Sequence, residues 1–444
     1  MSERKQFRAI KGTRDILPLD SALWNWFEHS AREVLESYNY NEIRLPILEE
    51  TQLFARSIGT ETDVVSKEMF TFPAGAGGSA GDLESLAERD EAQDLITLRP
   101  EATASVGRAY IEHGMHTLPG NAKLYYIGPM FRRERPQKGR YRQFYQIGAE
   151  VLGQSDAPAI DAELIEMLLV FFARVGLTKT TLYLNSIGDK NCRPEYIERL
   201  REALHKVKDR LGADSQRRIE TNPLRVLDSK VPEEQEIIAA LPRIADYLCD
   251  DCRAHFAKLK DELNLRDVVF EENWRLVRGL DYYTRTTFEV TAAGLGSQNA
   301  VCGGGRYDGL IELLGGPPTK GIGFAIGSDR SILSIQETGA APKLGGLAVY
   351  VAWMGGAAYP TAVKLARKLR AAGVSVELPG EEMKFKKSLG LADKLGARYA
   401  LIIGENEVAS GKYALKSLAD GAQRELGENE LLEYLESERR GTGA

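Results

Sequence analysis

Residues 131–142, FRRERPQKGRYR, carry the strongest chemical signal in the chain. Six of these twelve residues are Arg or Lys, and Glu134 is the only acid among them. Cations crowded this closely repel one another, so the segment predicts an anionic ligand. Arginine suits phosphate oxygens because its guanidinium group is planar and permanently charged. A solvated basic hairpin tip is the alternative, but the apolar, aromatic and glycine-bearing segments on both sides favour a binding site.

A second basic candidate lies in VRGLDYYTRTTFEV at 277–290. Arg278 falls in an apolar stretch that is expected to be a strand, where an unpaired charge is costly. It therefore meets either an anionic ligand or, in a purely structural role, the carboxylate of Asp281.

Two glycine-rich segments follow. In CGGGRYDGL, at 302–310, three glycines permit close approach to the backbone, and Tyr307 comes after a turn. In GIGFAIGSDR, at 321–330, Arg330 lies near a predicted helix start, where the helix dipole also favours an anion. The G-x-G-x-x-x-G spacing is one residue too long for a dinucleotide fingerprint, and the sequence contains no P-loop motif.

Hydrophobic periodicity predicts the elements that would position these segments. A helix is expected at 21–38, with Trp24, Trp26 and Phe27 in the core, and a strand that ends or lies at a sheet edge near Pro46. The other expected elements are two strands joined by the charged loop at 123–153, a covering helix at 158–175, strands at 275–293 and 298–304, and a strand running into a helix at 321–336.

The same patterns divide the chain into domains. We expect a catalytic domain on an antiparallel sheet from 1–184 and 269–336, a helical insertion at 185–268 and a linker at 337–344. Residues 345–444 alternate strands with helices and are expected to form an α/β domain with a largely parallel sheet and a final helix. The Gly-, Ala- and acid-rich stretch 74–93 is interpreted as a hairpin tip or surface insertion.

Composition narrows the class of protein. The 444 residues are 43% hydrophobic and 27% charged, and four cysteines are too few for a disulfide framework. Without a signal peptide or a long apolar run, a cytoplasmic protein with no membrane span is expected. The net charge of −6 disfavours bulk attraction to nucleic acid, but residues 343–423 carry 12 Lys and Arg against 7 Asp and Glu. That basic region suits an RNA-facing surface.

The remaining metal-type and acid–base candidates receive structural interpretations. Cys249-x-x-Cys252 with His255 invites a zinc site, but four ligands are needed and only Cys192 lies anywhere near in sequence. One amphipathic helix is the favoured interpretation, so no protein metal ligand is predicted. His113 and His116 are expected to be packing or cap residues.

Taken in order, LRPEATA, FRRERPQKGRYRQF, RGLDYY, GGGRYDGL and GFAIGSDR resemble the signatures of the histidyl-tRNA synthetases, a family of class II aminoacyl-tRNA synthetases. The resemblance runs from about residue 7 to about 425. The arginine loop and GFAIGSDR are similar to motifs shared by the class, whereas RGLDYY and GGGRYDGL resemble segments peculiar to the histidine enzymes. This resemblance implies a reaction that converts histidine and ATP to histidyl-adenylate and pyrophosphate, and then transfers histidine to tRNA(His).

The resemblance implies roles around ATP. Arg132 would hold the α-phosphate, Arg140 the far phosphates, and Arg330 would lie by the γ-phosphate or adenine. Phe144 would stack on adenine, and Glu134 would accept from its amino group. Mg²⁺ would be bound mainly through ATP, with few fixed protein ligands.

The resemblance also implies an amino-acid site. Arg278 would touch both the substrate carboxylate and the α-phosphate and would act in catalysis with Arg132. The ammonium contacts would be Glu101, Thr103 and Gln146, and the imidazole contacts Glu150 and Tyr283, with Tyr307 nearby. A surface strand position is the alternative for Glu150.

Partners follow from the same comparison. The C-terminal domain would bind the anticodon stem, and Arg135, Gln137 and Lys138 at the loop tip could reach the acceptor end. Pro46 lies in a stretch similar to the dimer-interface motif, which implies a homodimer. Two alternatives are disfavoured. A non-catalytic relative of this family, the regulatory subunit that partners ATP phosphoribosyltransferase, would lack the C-terminal domain and have eroded histidine signatures. A synthetase of the same class for threonine or proline would lack RGLDYY.

Overall fold

The computed structural model describes residues 6–18, 20–60, 62–74, 95–295, 299–342 and 346–441. The chain forms two compact units, Met1–Ala341 and Pro342–Ala444. Apart from residue 74, the predicted surface insertion at 74–93 lies outside the described residues. Within the described ranges, no helix is both long and apolar enough to cross a membrane.

A sheet of eight strands forms the centre of the first unit: β1 (Asn41–Glu42), β5 (Ala122–Phe131), β6 (Gln143–Gly153), β7 (Thr180–Ser186), β8 (Glu271–Glu272), β9 (Thr284–Ala292), β10 (Ala300–Arg306) and β11 (Lys320–Gly327). Their order is β1-β5-β6-β11-β10-β9-β7-β8. The six central strands pair antiparallel, which confirms the predicted sheet, but the β1–β5 and β7–β8 edge pairs are parallel. A second sheet contains β2 (Leu48–Glu50), β3 (Phe70–Pro73) and β4 (Leu95–Leu98).

Among the described residues, the α-helices of this unit outside the 185–268 region are α1 (Asp20–Ser37), α2 (Thr51–Ile58), α3 (Thr103–Glu112), α4 (Pro158–Arg174), α9 (Leu310–Leu313) and α10 (Ser328–Glu337). The predicted helices at 21–38 and 158–175 are therefore confirmed as α1 and α4. Helix α1 buries Leu23, Phe27 and Val34 at helical spacing, and it packs against α4 and β6. Trp24 is also buried, but Trp26 is only partly so.

Between β7 and β8 the chain folds into four helices with short turns: α5 (Arg193–His205), α6 (Ala213–Thr221), α7 (Gln235–Ala239) and α8 (Asp250–Asn264). Their apolar side chains form a core of their own, which also takes in Val277 and Tyr283. The predicted strand at 275–293 is shorter than expected, because β9 begins only at Thr284. Arg278 therefore lies in a loop, and its prediction as a strand residue was wrong.

The second unit contains strands β12 (Val349–Trp353), β13 (Val376–Glu377), β14 (Tyr399–Ile403), β15 (Lys412–Ser417) and β16 (Gln423–Gly427), with helices α11 (Ala358–Ala371), α12 (Phe385–Lys394), α13 (Glu405–Ser410) and α14 (Glu428–Gly441). Strands β13, β12 and β14 pair parallel, as predicted. Strands β15 and β16 add an antiparallel hairpin in a region expected to be one helix. Gly421 allows the hairpin turn, since its φ of +75° is a conformation that favours glycine.

Candidate functional site

One cleft of the first unit brings together eleven of the twelve residues predicted to bind the amino acid and ATP. They are Glu101, Thr103, Arg132, Glu134, Arg140, Phe144, Gln146, Arg278, Tyr283, Tyr307 and Arg330. The twelfth, Glu150, is fully buried behind them. Three of the residues, Phe144, Gln146 and Glu150, lie on β6, and the loop between β5 and β6 carries Arg132, Glu134 and Arg140. The others lie at the N-termini of α3 and α10, directly after β10, or in the loop before β9. Central antiparallel strands thus bring distant sequence segments to one place.

Three arginines line one end of the cleft. Nε of Arg132 donates to the Pro100 carbonyl at 3.0 Å, and its guanidinium lies 5.3 Å from the centre of the Phe144 ring. Arg140 forms an ion pair with Glu134, 3.1 Å between Nη1 and Oε2. The two residues expected to contact different parts of ATP therefore contact each other in this state.

Arg330 completes the arginine group at the start of α10. Its Nη1 donates to the Ala300 carbonyl at 2.9 Å. Burial lowers the pKa of Arg330, and the guanidinium groups of Arg140 and Arg132 lower it further. The three guanidinium groups repel one another near a helix N-terminus, so a bound anion would stabilise their charged forms.

Arg278 reaches the cleft from its loop. Its Nη1 donates to Oε2 of Glu289 at 2.8 Å, so the ion-pair partner that the structure gives it is Glu289 on β9, which sequence reasoning missed. Nε of Arg278 is buried without a hydrogen-bond partner among the described residues. Gly303 makes room for the group, since a Cβ there would lie 1.8 Å from Nη2. The buried donor that remains is suited to a ligand oxygen.

Thr103 and Tyr307 form the polar floor of the cleft, and the buried Glu150 accepts hydrogen bonds from both. Oε1 accepts from the Thr103 hydroxyl at 2.7 Å and Oε2 from the Tyr307 hydroxyl at 2.6 Å. Burial raises the pKa of Glu150 to about 8, against the lowering effect of these two hydrogen bonds. Gly323 lies opposite on β11, and a Cβ there would come within 1.6 Å of Oε2. The surface-strand interpretation of Glu150 is therefore wrong.

Glu101 caps the start of α3, in addition to its expected role as an ammonium contact. Its carboxylate accepts from the backbone N–H groups of Thr103, at 2.7 Å, and Ala104, at 3.0 Å, at the start of α3. Burial raises its pKa. Each carboxylate oxygen has a second lone pair, so a further donor can still be accepted. Beside it, Oε1 of Gln146 is buried without a hydrogen-bond partner in the described part of the chain.

The aromatic residues of the site are held in place by their neighbours. The Tyr283 carbonyl accepts from Nη1 of Arg193 at 2.8 Å, and burial raises the pKa of Tyr283 to about 12. Tyr307 follows Arg306, which is almost completely buried and forms an ion pair with the buried Asp161, 2.7 Å between Nη2 and Oδ1. This pair, which sequence reasoning missed, ties β10 to α4 and so positions Tyr307.

The remaining candidates lie outside the cleft. Arg135, Gln137 and Lys138 are exposed at the hairpin tip, where Lys138 pairs with Glu337 at 2.7 Å. His113 ends α3, as the cap interpretation predicted. Nε2 of His255 lies 3.1 Å from the Asp156 carbonyl, so this histidine does not join Cys249 and Cys252.

The first unit has the architecture of a class II aminoacyl-tRNA synthetase. Its central strands are antiparallel, the loop between β5 and β6 carries arginines, and Arg330 lies at the start of α10, the final helix of this unit. The comparisons with known proteins agree. The family model "Histidyl-tRNA synthetase" matches residues 12–330, and "Anticodon binding domain" matches residues 348–438. This chain belongs to the histidyl-tRNA synthetase family, which confirms the resemblance seen in the sequence.

Individual relatives cover nearly the whole chain. A histidine–tRNA ligase of Koribacter versatilis is 54% identical over 96% of this chain and 96% of its own length. A histidine–tRNA ligase of Solibacter usitatus is 53% identical over 97% of this chain and 99% of its own length. The crystal structure of apo histidyl-tRNA synthetase from S. aureus covers 97% of this chain and 100% of its own, with a TM-score of 0.77 and 36% identity.

Proposed function

We propose that this chain activates L-histidine with ATP to give histidyl-adenylate and pyrophosphate, and then transfers histidine to the 3′ end of tRNA(His). The observation that carries the proposal is the joining of two environments in one cleft. Arg132, Arg140 and Arg330 form a cationic end, and Thr103 with Tyr307 forms a polar floor over the buried Glu150. The first suits a triphosphate and the second a small polar side chain.

The chemical step brings two anions together, because the histidine carboxylate attacks the α-phosphate. Arg278, with its unpartnered Nε, and Arg132 are proposed to neutralise charge as the two groups approach. Arg140 and Arg330 would hold the far phosphates. Mg²⁺ bound mainly through ATP would supply further charge neutralisation on those phosphates.

Histidine recognition is proposed to use the floor of the cleft. A carboxyl oxygen of Glu150 would accept from one ring nitrogen, and the Tyr283 hydroxyl would serve the other, with Tyr307 orienting the Glu150 carboxyl group. Glu101, Thr103 and Gln146 would contact the ammonium group. A pocket with buried polar groups disfavours apolar side chains of similar size, since they would leave those groups unpaired.

Adenine binding is proposed at Phe144 and Glu134. The Arg132 guanidinium already lies against the Phe144 ring, so the base would stack on the other face. Glu134 would have to exchange part of its Arg140 pairing for the adenine amino group. This rearrangement would free Arg140 for the phosphates at the same moment.

Domain roles and partners complete the proposal. Residues 1–184 and 269–336 would form the catalytic domain and 185–268 an insertion. Residues 345–444 would bind the anticodon stem through the lysines and arginines that predominate up to residue 423. Arg135, Gln137 and Lys138 are exposed, as contacts to the tRNA acceptor end require. A homodimer is proposed through the Pro46 segment, where Ile47 is 42% and Leu48 47% exposed.

Aminoacylation of tRNA(His) transcript tests the function as a whole. The full chain with ATP, Mg²⁺ and histidine is expected to charge tRNA(His) and not a threonine or proline tRNA. The proposal would be refuted if the chain charged no tRNA at all.

A further inference from the structure

Four side chains far apart in sequence meet at the base of the inserted helices. Asp189 and Cys192 lie on the turn between β7 and α5, and Cys249 and Cys252 lie at the start of α8. One oxygen of Asp189 and the three sulfur atoms all lie within 4.8 Å of one another. Asp189, Cys192 and Cys252 are buried and Cys249 is partly buried. None of these residues has a part in the proposed synthetase reaction.

Three of the six separations between these ligand atoms match a tetrahedral metal site. Metal–sulfur bonds of about 2.3 Å at tetrahedral angles place two sulfur atoms about 3.8 Å apart, and a shorter metal–oxygen bond gives about 3.6 Å between oxygen and sulfur. In the structure Sγ of Cys192 and Sγ of Cys252 are 3.8 Å apart. Oδ1 of Asp189 lies 3.6 Å from Sγ of Cys192 and 3.9 Å from Sγ of Cys249.

The turn that carries the first two ligands has a backbone suited to thiolate. The N–H of Asp189 points to Sγ of Cys192 at 3.3 Å. Gly188 before it has φ +65°, and a Cβ there would lie 2.7 Å from the same sulfur. Cys192 and Cys249 are moreover the residues immediately before α5 and α8, where helix dipoles favour negative charge.

The surrounding charges would balance such a site. Three thiolates and one carboxylate carry four negative charges, and a divalent ion removes two of them. Nη2 of Arg285 lies 3.5 Å from Oδ2 of Asp189, and Arg193 directly follows Cys192. Two guanidinium groups are thus available for the remaining charge, as outer-shell partners of metal ligands commonly are.

We propose that Asp189, Cys192, Cys249 and Cys252 bind one structural Zn²⁺ ion. Three sulfur ligands select a soft ion such as Zn²⁺ over Mg²⁺ or Ca²⁺, and four protein ligands leave no open position for catalysis. The sequence pattern favoured an amphipathic helix around Cys249 and Cys252 and predicted no protein metal ligand. The structure places Cys192 beside these two cysteines, and Asp189, three residues before Cys192, supplies the fourth ligand.

The ion would fasten the insertion to the histidine-binding loop. Arg193 beside the ligand Cys192 donates to the Tyr283 carbonyl, and the N–H of Arg285 donates to the Gly188 carbonyl at 2.7 Å. Loss of the ion should therefore loosen the segment that carries Tyr283. The expected consequences are a lower melting temperature and a raised KM for histidine, with a smaller change in KM for ATP.

Metal content of the full chain tests the proposal. Protein purified with a thiol reductant and no chelator is expected to hold about one equivalent of zinc by elemental analysis. Reconstitution with Co²⁺ should give intense visible bands of tetrahedral cobalt and a thiolate charge-transfer band. The Cys252→Ser variant should lose both, and Cys302→Ser, which removes a buried cysteine outside the cluster, should keep both.

The controls separate the alternatives without relying on one variant. The cobalt spectrum of the unaltered protein needs no substitution, and Asp189→Cys should keep zinc because it supplies a fourth thiolate. The proposal is overturned if fully reduced protein takes up neither metal, or if Cys302→Ser loses as much zinc as Cys252→Ser. A disulfide between Cys192 and Cys252 in freshly isolated protein would overturn it equally.

Discussion

Replacing Arg278 with alanine is expected to slow histidyl-adenylate formation by about 10²–10³-fold, the scale on which removal of one preorganised transition-state donor acts. Arg278 lines the same cleft as Arg132 and Tyr307, with Nε unpartnered among the described residues and Nη1 on Glu289. It should act most strongly when carboxylate and α-phosphate are closest. The loss should therefore fall on kcat for pyrophosphate exchange more than on the binding of histidine.

The structure also bounds the effect on folding. Glu289 would lose its partner, but its side chain is 28% exposed and keeps access to water, so the stability cost should be about 1 kcal/mol. That cost is too small to unfold a protein of ordinary stability. The rate loss should thus appear in a folded enzyme, as judged by melting temperature and molecular mass.

A matched double variant separates catalysis from ion pairing. In Arg278→Ala with Glu289→Gln, the uncompensated carboxylate is gone and the guanidinium is still missing. The rate should stay low if Arg278 stabilises the transition state. Recovery of exchange in the double variant, or near-normal exchange in Arg278→Ala alone, would refute the catalytic role. Transfer from preformed adenylate to tRNA should suffer less, because that step separates carboxyl from phosphate.

Two further outcomes follow from the geometry. The pKa of Glu150 in the folded protein, about 8, lies above the ordinary value of 4.5. Between these two pH values the folded protein keeps a proton on Glu150 that the unfolded chain releases. The contribution of Glu150 to the free energy of unfolding therefore falls as pH rises from 4.5 to about 8. The free energy of unfolding of Glu150→Gln, measured by denaturant titration relative to the unaltered protein, should accordingly increase from pH 5 to pH 8, with a slope of up to about 1.4 kcal/mol per pH unit. A difference that does not change with pH would contradict the assigned protonation. Deleting residues 342–444, one of the two compact units, should leave part of the adenylate formation and severely weaken tRNA charging, since every residue of the cleft lies in the other unit. Equal loss of both half-reactions in a folded, dimeric truncation would count against this division.

Local sequence patterns predicted the elements whose burial is periodic. The β5–β6 hairpin, α1, α4 and the β11–α10 unit follow from hydrophobic spacing and turn residues, and the structure confirms them. The β15–β16 hairpin was missed because its charged, half-exposed strands have no clear alternation. Parallel pairing of the two-residue edge strands β1 and β8 depends on tertiary contacts that no local pattern encodes.

In the site, too, local sequence predicted some features, and others depend on tertiary contacts. Residue types and ordered motifs predicted which side chains enter the cleft, but they did not predict the pairs that hold them. Glu289 is eleven residues from Arg278, and Asp161 is 145 residues from Arg306. Asp189 is 60 residues from Cys249, so no local pattern in the sequence connects the two. Such partners become visible only when the strands and helices that carry them are placed in space.

ATP–pyrophosphate exchange, run on the full chain separately with each amino acid, tests the central claim most directly. The buried Glu150 network and the RGLDYY loop predict that histidine alone supports exchange. Comparable exchange with threonine or proline, and none with histidine, would contradict it.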